Sequence, residues 1–400
     1  MQQVTLADVR AAAKRISTVA ARTPVMSSHS FSQMTGRQLF LKAENLQRGG
    51  SFKIRGALNA ISLLSPEASA EGVVAASAGN HAQGVALAAS ALDISSTVFM
   101  PVGAAIPKVL ATREYGADVR LVGDHMGQSL DAALAFAAET GASMIHPYDD
   151  PAIIAGQGTL GLEMLEQLPE LGSVVIPVGG GGLIAGIALA IKELRPSVVV
   201  AGVEAAAMPL YIQGRAAGRP VEIDSRPTVA DGISTPRPSA LAFSIIERWV
   251  DELVAVEEAD ITQAVTLILE RAKLLVEPSG AVGLAAMLAS ILPGLPEPVM
   301  LLLSGGNIDL VLLDTVVRKG LEARGRFGTL RVRVPDIPGQ LAKVVSAVGD
   351  HGGNIIAVEH HREGTFLPFG TVEIWMAIAT RSRQHFEEIV AALGEYEVIL

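Results

Sequence analysis

No cysteine occurs anywhere in the 400 residues. That absence excludes disulfides, thiolate nucleophiles, zinc–thiolate sites and cysteine-ligated iron–sulfur clusters together. It also fits a reducing, cytoplasmic setting. Aromatic residues are scarce at 4% and charged residues at 18%, while half of the chain is apolar. Small aliphatic side chains therefore fill the interior, as they do where parallel strands are covered on both faces. A basic surplus is missing too: the formal net charge is -10, which argues against nucleic acid or an anionic membrane as partner. The most apolar stretches, such as Leu183 to Ala190, fall far short of the roughly 20 residues a bilayer-spanning helix requires. Met1 to Ala13 contains Asp8 and no apolar h-region, so no signal peptide is expected.

The length implies more than one domain. From Leu39 to about Glu322, short β-branched runs alternate with helical stretches, the rhythm of a parallel α/β sheet. The expected strands are Gly72–Ala76, Thr97–Met100, Val119–Val122, Val174–Pro177, Val198–Val203 and Val299–Leu303. The expected helices are Asn80–Leu92, Lys108–Tyr115, Gly127–Thr140, Leu183–Glu193, Ile261–Arg271 and Ala281–Ile291. Arg215 to Pro238, rich in Gly, Pro and Arg, reads as an irregular, site-shaping segment.

The rhythm stops near Arg318 to Gly328, where a domain boundary is expected. Beyond it Leu330, Val332 and Val334 alternate with Thr329, Arg331 and Arg333, and Val372, Ile374, Met376 and Ile378 alternate again. Such strands have one covered face. Gly339–His351 carries a helical stripe of Leu341, Val344, Val345 and Val348, and a helix at Gln384–Leu393 precedes a last strand at Glu397–Leu400. The order βαββαβ describes a small ferredoxin-like module.

Four turns carry candidate chemistry. Ser51-Phe52-Lys53-Ile54-Arg55-Gly56-Ala57 opens a helix after the pair Gly49-Gly50. Lys53 is either a solvated first-turn lysine, mildly disfavoured by the helix dipole, or an amine that ties its nitrogen covalently to a cofactor. Ser77-Ala78-Gly79-Asn80-His81 joins a strand to a helix. Its free backbone N–H groups suit a carboxylate, unless Ser77 or Asn80 simply caps the helix. Gly179-Gly180-Gly181-Gly182-Leu183 follows a strand and opens an apolar helix, a setting that wraps a phosphate. Its spacing is not that of a dinucleotide fingerprint, and no P-loop lysine follows. Ser304-Gly305-Gly306-Asn307 ends another strand, where ligands of open α/β sheets gather, and its hydroxyl suits a heteroaromatic nitrogen. An amine, a phosphate cradle, a carboxylate cradle and a ring-nitrogen partner together match pyridoxal phosphate with an amino acid.

These motifs, read as Ser51 to Ala57, Ser77 to Gly84, Gly179 to Leu183 and Ser304 to Asn307, resemble threonine dehydratases of the tryptophan-synthase-β-like class. His146-Pro147-Tyr148-Asp149-Asp150-Pro151 and Ala155-Gly156-Gln157-Gly158-Thr159 look similar to that family too. The resemblance implies a two-lobed α/β fold with parallel-rich sheets, its catalytic domain over residues 1–322 and a smaller lobe at about 48–145 inserted in the larger one. It implies that Lys53 bonds pyridoxal 5'-phosphate and later moves the Cα proton, with Gly179, Gly180, Gly181, Gly182 and Leu183 around the phosphate. Asn80 would meet the ring 3-hydroxyl, Ser304 the ring nitrogen, and Phe52 the ring face. Ser77, Ala78, Gly79, Asn80 and His81 would hold the substrate carboxylate, and Glu277 would stand as a cofactor-side carboxylate or as a helix N-terminal acid.

After a linker at 323–327, residues 328–400 resemble an ACT domain, on Asp336-Ile337-Pro338-Gly339-Gln340-Leu341 and Gly352-Gly353-Asn354-Ile355. That likeness implies a homo-oligomer, dimer or tetramer, with an amino-acid effector. The implied activity is conversion of L-threonine, and of L-serine as a second substrate, to a 2-oxo acid and ammonium. The alternatives are a serine racemase or β-replacement enzyme of the same fold, and a non-catalytic amino-acid sensor. Racemases of this pattern resemble the chain but place serine where Ala78 stands, and alanine cannot act as a second base. Glu204 stands where relatives bind a cation, but Ala205 to Leu210 offer no second carboxylate, so no metal is expected.

Overall fold

A computed structural model of the chain describes residues 4–362 and 367–399. Met1 to Gln3, within the segment read for a leader, and Leu400, at the end of the last expected strand, lie outside the described residues. Two compact units divide the chain, Met1–Leu312 and Leu313–Leu400.

The strands of the first unit are β1 (Val25–Ser27), β2 (Leu39–Ala43), β3 (Val73–Ala76), β4 (Ser96–Met100), β5 (Asp118–Leu121), β6 (Ser143–Met144), β7 (Ser173–Pro177), β8 (Val199–Ala205), β9 (Glu252–Val256) and β10 (Val299–Leu303). They form two sheets: six strands in the order β1-β2-β10-β7-β8-β9, and four in the order β5-β4-β3-β6. Every pair is parallel except β1 with β2. The smaller sheet lies entirely between Val73 and Met144. Its insertion splits the larger lobe, so β2 pairs with β10 across the whole sequence of the unit.

Composition explains this layering. All five residues of β10 and of β7 are buried, because helices cover both faces of a parallel sheet. The helix Gly182–Leu194 has no polar face in its first ten residues, and all ten lie inside, which their run of Leu, Ile, Ala and Gly permits. Two expectations shift. The helix expected at Ile261–Arg271 is α-helical over Glu258–Leu267 and then widens into a π-turn at Ile268–Ala272, ended by Lys273 in the left-handed region. The segment expected to be irregular from Arg215 is helical over Leu210–Ala217 and stops at Gly218 with φ 65, a common glycine helix stop.

The second unit contains β11 (Phe327–Pro335), β12 (Asn354–His361), β13 (Thr371–Ala379) and β14 (Glu397–Ile399), with helices Gln340–Asp350 and Arg383–Ala392. The sheet order is β12-β13-β11-β14, all antiparallel. Leu330, Val332, Val334, Val372, Ile374, Met376 and Ile378 are buried under Val344, Val348 and Ile389. Alternation along β11 and β13 thus puts one face of the sheet on the helices. The division between the units falls inside the helix Leu310–Ala323, earlier than the composition change.

Candidate active site

The four chemistry-bearing turns all follow the carboxyl ends of parallel strands: Lys53 after β2, Ser77 to His81 after β3, Gly179 to Gly182 after β7 and Ser304 after β10. Because the smaller sheet is inserted between β2 and β7, those ends converge from two lobes. They line one cavity of about 380 Å³ that includes Phe52, Lys53, Ser77, Ala78, Gly79, Asn80, His81, Gly179, Gly180, Gly181, Gly182, Leu183, Glu277 and Ser304. Every sequence-expected site residue is therefore brought together.

Lys53 is the first residue of the helix Lys53–Ile61. Its Nζ donates to the carbonyl of Pro147 at 3.0 Å and stands 5.2 Å from the centre of the Phe52 ring. Burial pushes its ammonium down to about 8, against a smaller opposing pull from the Glu277 carboxyl. A lysine of that pKa has a sizeable neutral fraction near neutrality, which suits covalent capture of a carbonyl carbon. The turn before it is fastened to the opposite strand end, since Phe52 N–H donates to Ser304 C=O at 3.1 Å and Ser51 bridges Gly305. Behind it, Arg55 is buried among carboxylates, reaching Glu44 at 2.8 Å and Glu163 at 2.7 Å, and Lys42 reaches Glu163 at 2.6 Å.

The two helix starts are bare. Gly79 and Gly181 occupy the cap positions of Asn80–Ala91 and Gly182–Leu194, and neither end has a side-chain cap. Neither Ser77 nor Asn80 is the N-cap, so the simple capping explanation of this turn is wrong. Ser77 instead accepts the N–H of Gly79 at 3.2 Å, and Asn80 donates from Nδ2 to Glu277 at 2.7 Å. Uncapped N–H groups at a helix start are a place for an anion. The glycine turn is also sterically required: Gly181 has φ 85, and a Cβ there would overlap the Tyr211 hydroxyl, while one on Gly180 would enter the Tyr148 ring.

Glu277 is buried, and burial pushes its carboxyl up to about 7 against the hydrogen bond from Asn80. His81 is buried as well, and burial lowers it to about 3, so the ring is neutral. With a carbonyl as partner, its Nε2 carries the proton and donates to Ile145 at 2.8 Å. Glu204 lies elsewhere: its two oxygens accept the N–H groups of Tyr211 and Ile212, at 2.8 and 3.0 Å.

Several lining residues were not singled out from sequence. Tyr148 donates to the carbonyl of Arg237 at 3.1 Å, and Lys108 of the smaller lobe pairs with Asp231 of the larger at 2.8 Å. Gln157 and Ser279 line the cavity too, and Gln157 Oε1 and Ser279 Oγ are buried without a partner. Tyr148 and Gln157 lie inside motifs visible in the sequence, but nothing local said they faced the cavity. Two unpartnered buried polar atoms, a perturbed amine and a bare glycine turn call for a polar, anionic guest.

The model of the pyridoxal-phosphate dependent enzymes matches residues 16–305. The chain belongs to that family. An ACT domain matches residues 328–397. An L-threonine ammonia-lyase of Geobacter sulfurreducens is 46% identical over 93% of this chain and 92% of its own length. The solved structure of the processed form of threonine deaminase isoform 2 from Solanum lycopersicum is 35% identical with a TM-score of 0.75, over 78% of this chain and 86% of that one. Maize serine racemase superposes with a TM-score of 0.75 at 37% identity, over 80% of this chain and 99% of that one. In this pyridoxal-phosphate dependent enzyme, the amine, the glycine turn and the unpartnered polar atoms fit the aldehyde, phosphate and polar edges of the cofactor. Among the described residues no helix is long and apolar enough to cross a membrane.

Proposed function

We propose that this enzyme converts L-threonine to 2-oxobutanoate and ammonium, and L-serine to pyruvate and ammonium as a second reaction. The observation that carries the reading is Lys53 at the foot of a cavity whose other walls are two bare helix starts and Ser304. The names of the relatives support the substrate. When bound, pyridoxal phosphate supplies an aldehyde carbon for an amino group and a conjugated ring that accepts electron density from Cα.

In this reading Lys53 holds the cofactor through Nζ, and Gly179 to Leu183 hold its phosphate. Phe52 packs on the ring, Asn80 donates to the ring 3-oxygen, and Ser304 faces the ring nitrogen. The loop Ser77 to His81 orients the substrate carboxylate through backbone N–H groups. With the cofactor and substrate bound, Lys53 Nζ would be the base placed to take the Cα proton. Ser304 offers a hydroxyl where a carboxylate would hold the ring nitrogen protonated. That weaker partner would favour loss of the β-hydroxyl over amino transfer. The β-carbon becomes the saturated end of the oxo acid: one water departs, one returns, and ammonium is the net loss.

Residues 1–322 form the catalytic part of this reading, 323–327 the connection and 328–400 an amino-acid-binding regulatory part. We take the enzyme to be a cytoplasmic homo-oligomer. Cell fractionation checks the first point, and light scattering of the purified chain the second. The deciding experiment incubates the purified holoenzyme with L-threonine, L-serine and 3-hydroxyaspartate, measuring oxo acid, ammonium and D-isomers. Equal amounts of 2-oxobutanoate and ammonium from L-threonine, with no D-allothreonine, are expected. A D-isomer as main product overturns the reading in favour of racemisation.

A further inference from the structure

The motif Ser304-Gly305-Gly306-Asn307 ends in a side chain that this reading leaves without a task. Asn307 Nδ2 lies 2.7 Å from the carbonyl oxygen of Gly49, 2.9 Å from Oδ1 of Asn80 and 3.1 Å from Oε1 of Gln83. Gly49 and Asn307 stand on turns after β2 and β10 of the larger sheet, whereas Asn80 and Gln83 belong to the first turn of the helix after β3 of the smaller one. The surrounding backbone is fixed as well. Gly306 N–H donates to Gly50 C=O at 2.8 Å, and a Cβ on Gly50 would overlap Oδ1 of Asn307.

An amide side chain presents two ends of nearly equal shape, so its partners decide which end points where. A backbone carbonyl can only accept. Gly49 therefore obliges Asn307 to aim its NH2 into the junction, and that NH2 obliges Asn80 to aim its Oδ1 back. The NH2 of Asn80 is then turned to Glu277, at 2.7 Å, on the cavity side. Glu277 does not impose this orientation alone. Burial raises its carboxyl to about 7, so around neutrality it exists in part as an acid, which donates as readily as it accepts.

We propose that Asn307 is a positioning residue that sets the amide sense of Asn80, so that an N–H rather than a carbonyl meets the 3-oxygen of pyridoxal phosphate. The inference rests on the placement of Asn80 beside that oxygen. Its origin in a backbone carbonyl that follows the larger sheet also ties the orientation to the two sheets being seated together.

The test titrates pyridoxal phosphate into apoenzyme of the full chain and follows visible absorbance, for wild type, Asn80→Ala, Asn307→Ala and the double variant. Asn80→Ala loses one hydrogen bond and is expected to weaken cofactor binding about tenfold. Asn307→Ala weakens it about threefold or more and moves the visible band in the same direction as Asn80→Ala. The double variant binds within about twofold of Asn80→Ala, since the effect of residue 307 passes through residue 80. Losses that multiply, or an Asn307→Ala apoenzyme with wild-type affinity and spectrum, overturn the proposal. If Asn80→Ala alone binds as wild type, the placement of Asn80 has failed instead. Circular dichroism melts confirm that each variant is folded. Asn307→Ser, whose hydroxyl is too short to reach Asn80, replaces Asn307→Ala in the same comparison if the alanine variant does not fold.

Discussion

Lys53 and Glu277 show how one buried cavity moves two ionisable groups in opposite senses along the pH scale. Burial disfavours charge on each, lowering the lysine to about 8 and raising the carboxyl to about 7. Lys53→Ala should abolish the visible chromophore and cut turnover at least about a thousandfold, a loss of the size that general base catalysis supplies. Cofactor uptake by apoenzyme should quicken as pH rises through about 8 and level off above it. A limb that continued towards 10.5, the value of an ordinary lysine, would contradict the burial argument. Glu277 acts on stability. At Glu277 the folded state keeps its proton between 4.5 and about 7, where the unfolded state has lost it, so this group's contribution to apoenzyme stability falls as pH rises through that window. Glu277→Gln removes its share of that slope in urea unfolding. Glu204, also raised to about 7, keeps its own falling contribution and His81, lowered to about 3, keeps a rising one, so between 4.5 and about 7 the slopes of wild type and variant should differ by about one proton.

At the scale of elements, the site depends on how strand ends and helix starts are braced. Gly181→Ala introduces a Cβ at φ 85 that meets Tyr211. The variant should weaken cofactor binding about tenfold or more, read by absorbance titration, through backbone strain and a displaced cradle. The helix that begins at Lys53 is held from behind by Arg55, which is buried against Glu44 and Glu163. Arg55→Ala leaves Glu44 buried and unpaired, so thermal or urea unfolding should show a loss of about 3–5 kcal/mol. The glycine run was legible because four glycines in succession after an apolar strand mark a turn. What filled the space above it was not, since Tyr148 and Tyr211 reach it from other elements and nothing in their neighbouring residues says so. The π-turn at Ile268–Ala272 was equally hidden, because its apolar spacing is that of an ordinary helix.

For the whole molecule, the two units carry separate cores: the first packs one cluster around the larger parallel sheet and others around the smaller, and the second packs its own around the antiparallel sheet of β11 to β14. If the second unit binds an amino-acid effector, the effect on turnover must come from different affinities in two states of the enzyme. Deleting residues 328–400 should then remove the response to added amino acids while turnover of threonine persists. An unchanged response in the shortened chain would sink the regulatory reading. On the edge strand β12, Ile356 and Val358 are 54% and 44% exposed.

The amino-acid sequence by itself determined the inventory and its order: an amine at a helix start after two glycines, then a polar turn, a glycine run and a hydroxyl, each of these three following a short apolar strand. It also determined that no thiol takes part. Only the tertiary structure decided which side chains meet. Asn80 and Glu277 stand 197 residues apart, and Asn307 and Asn80 stand 227 apart. Local pattern reports the face a residue occupies on its own element, whereas these contacts depend on the inserted lobe being seated against the larger one. The direction in which a buried amide points is set by the partner that has no alternative, and that partner, the carbonyl of Gly49, is a backbone atom on a turn after the larger sheet.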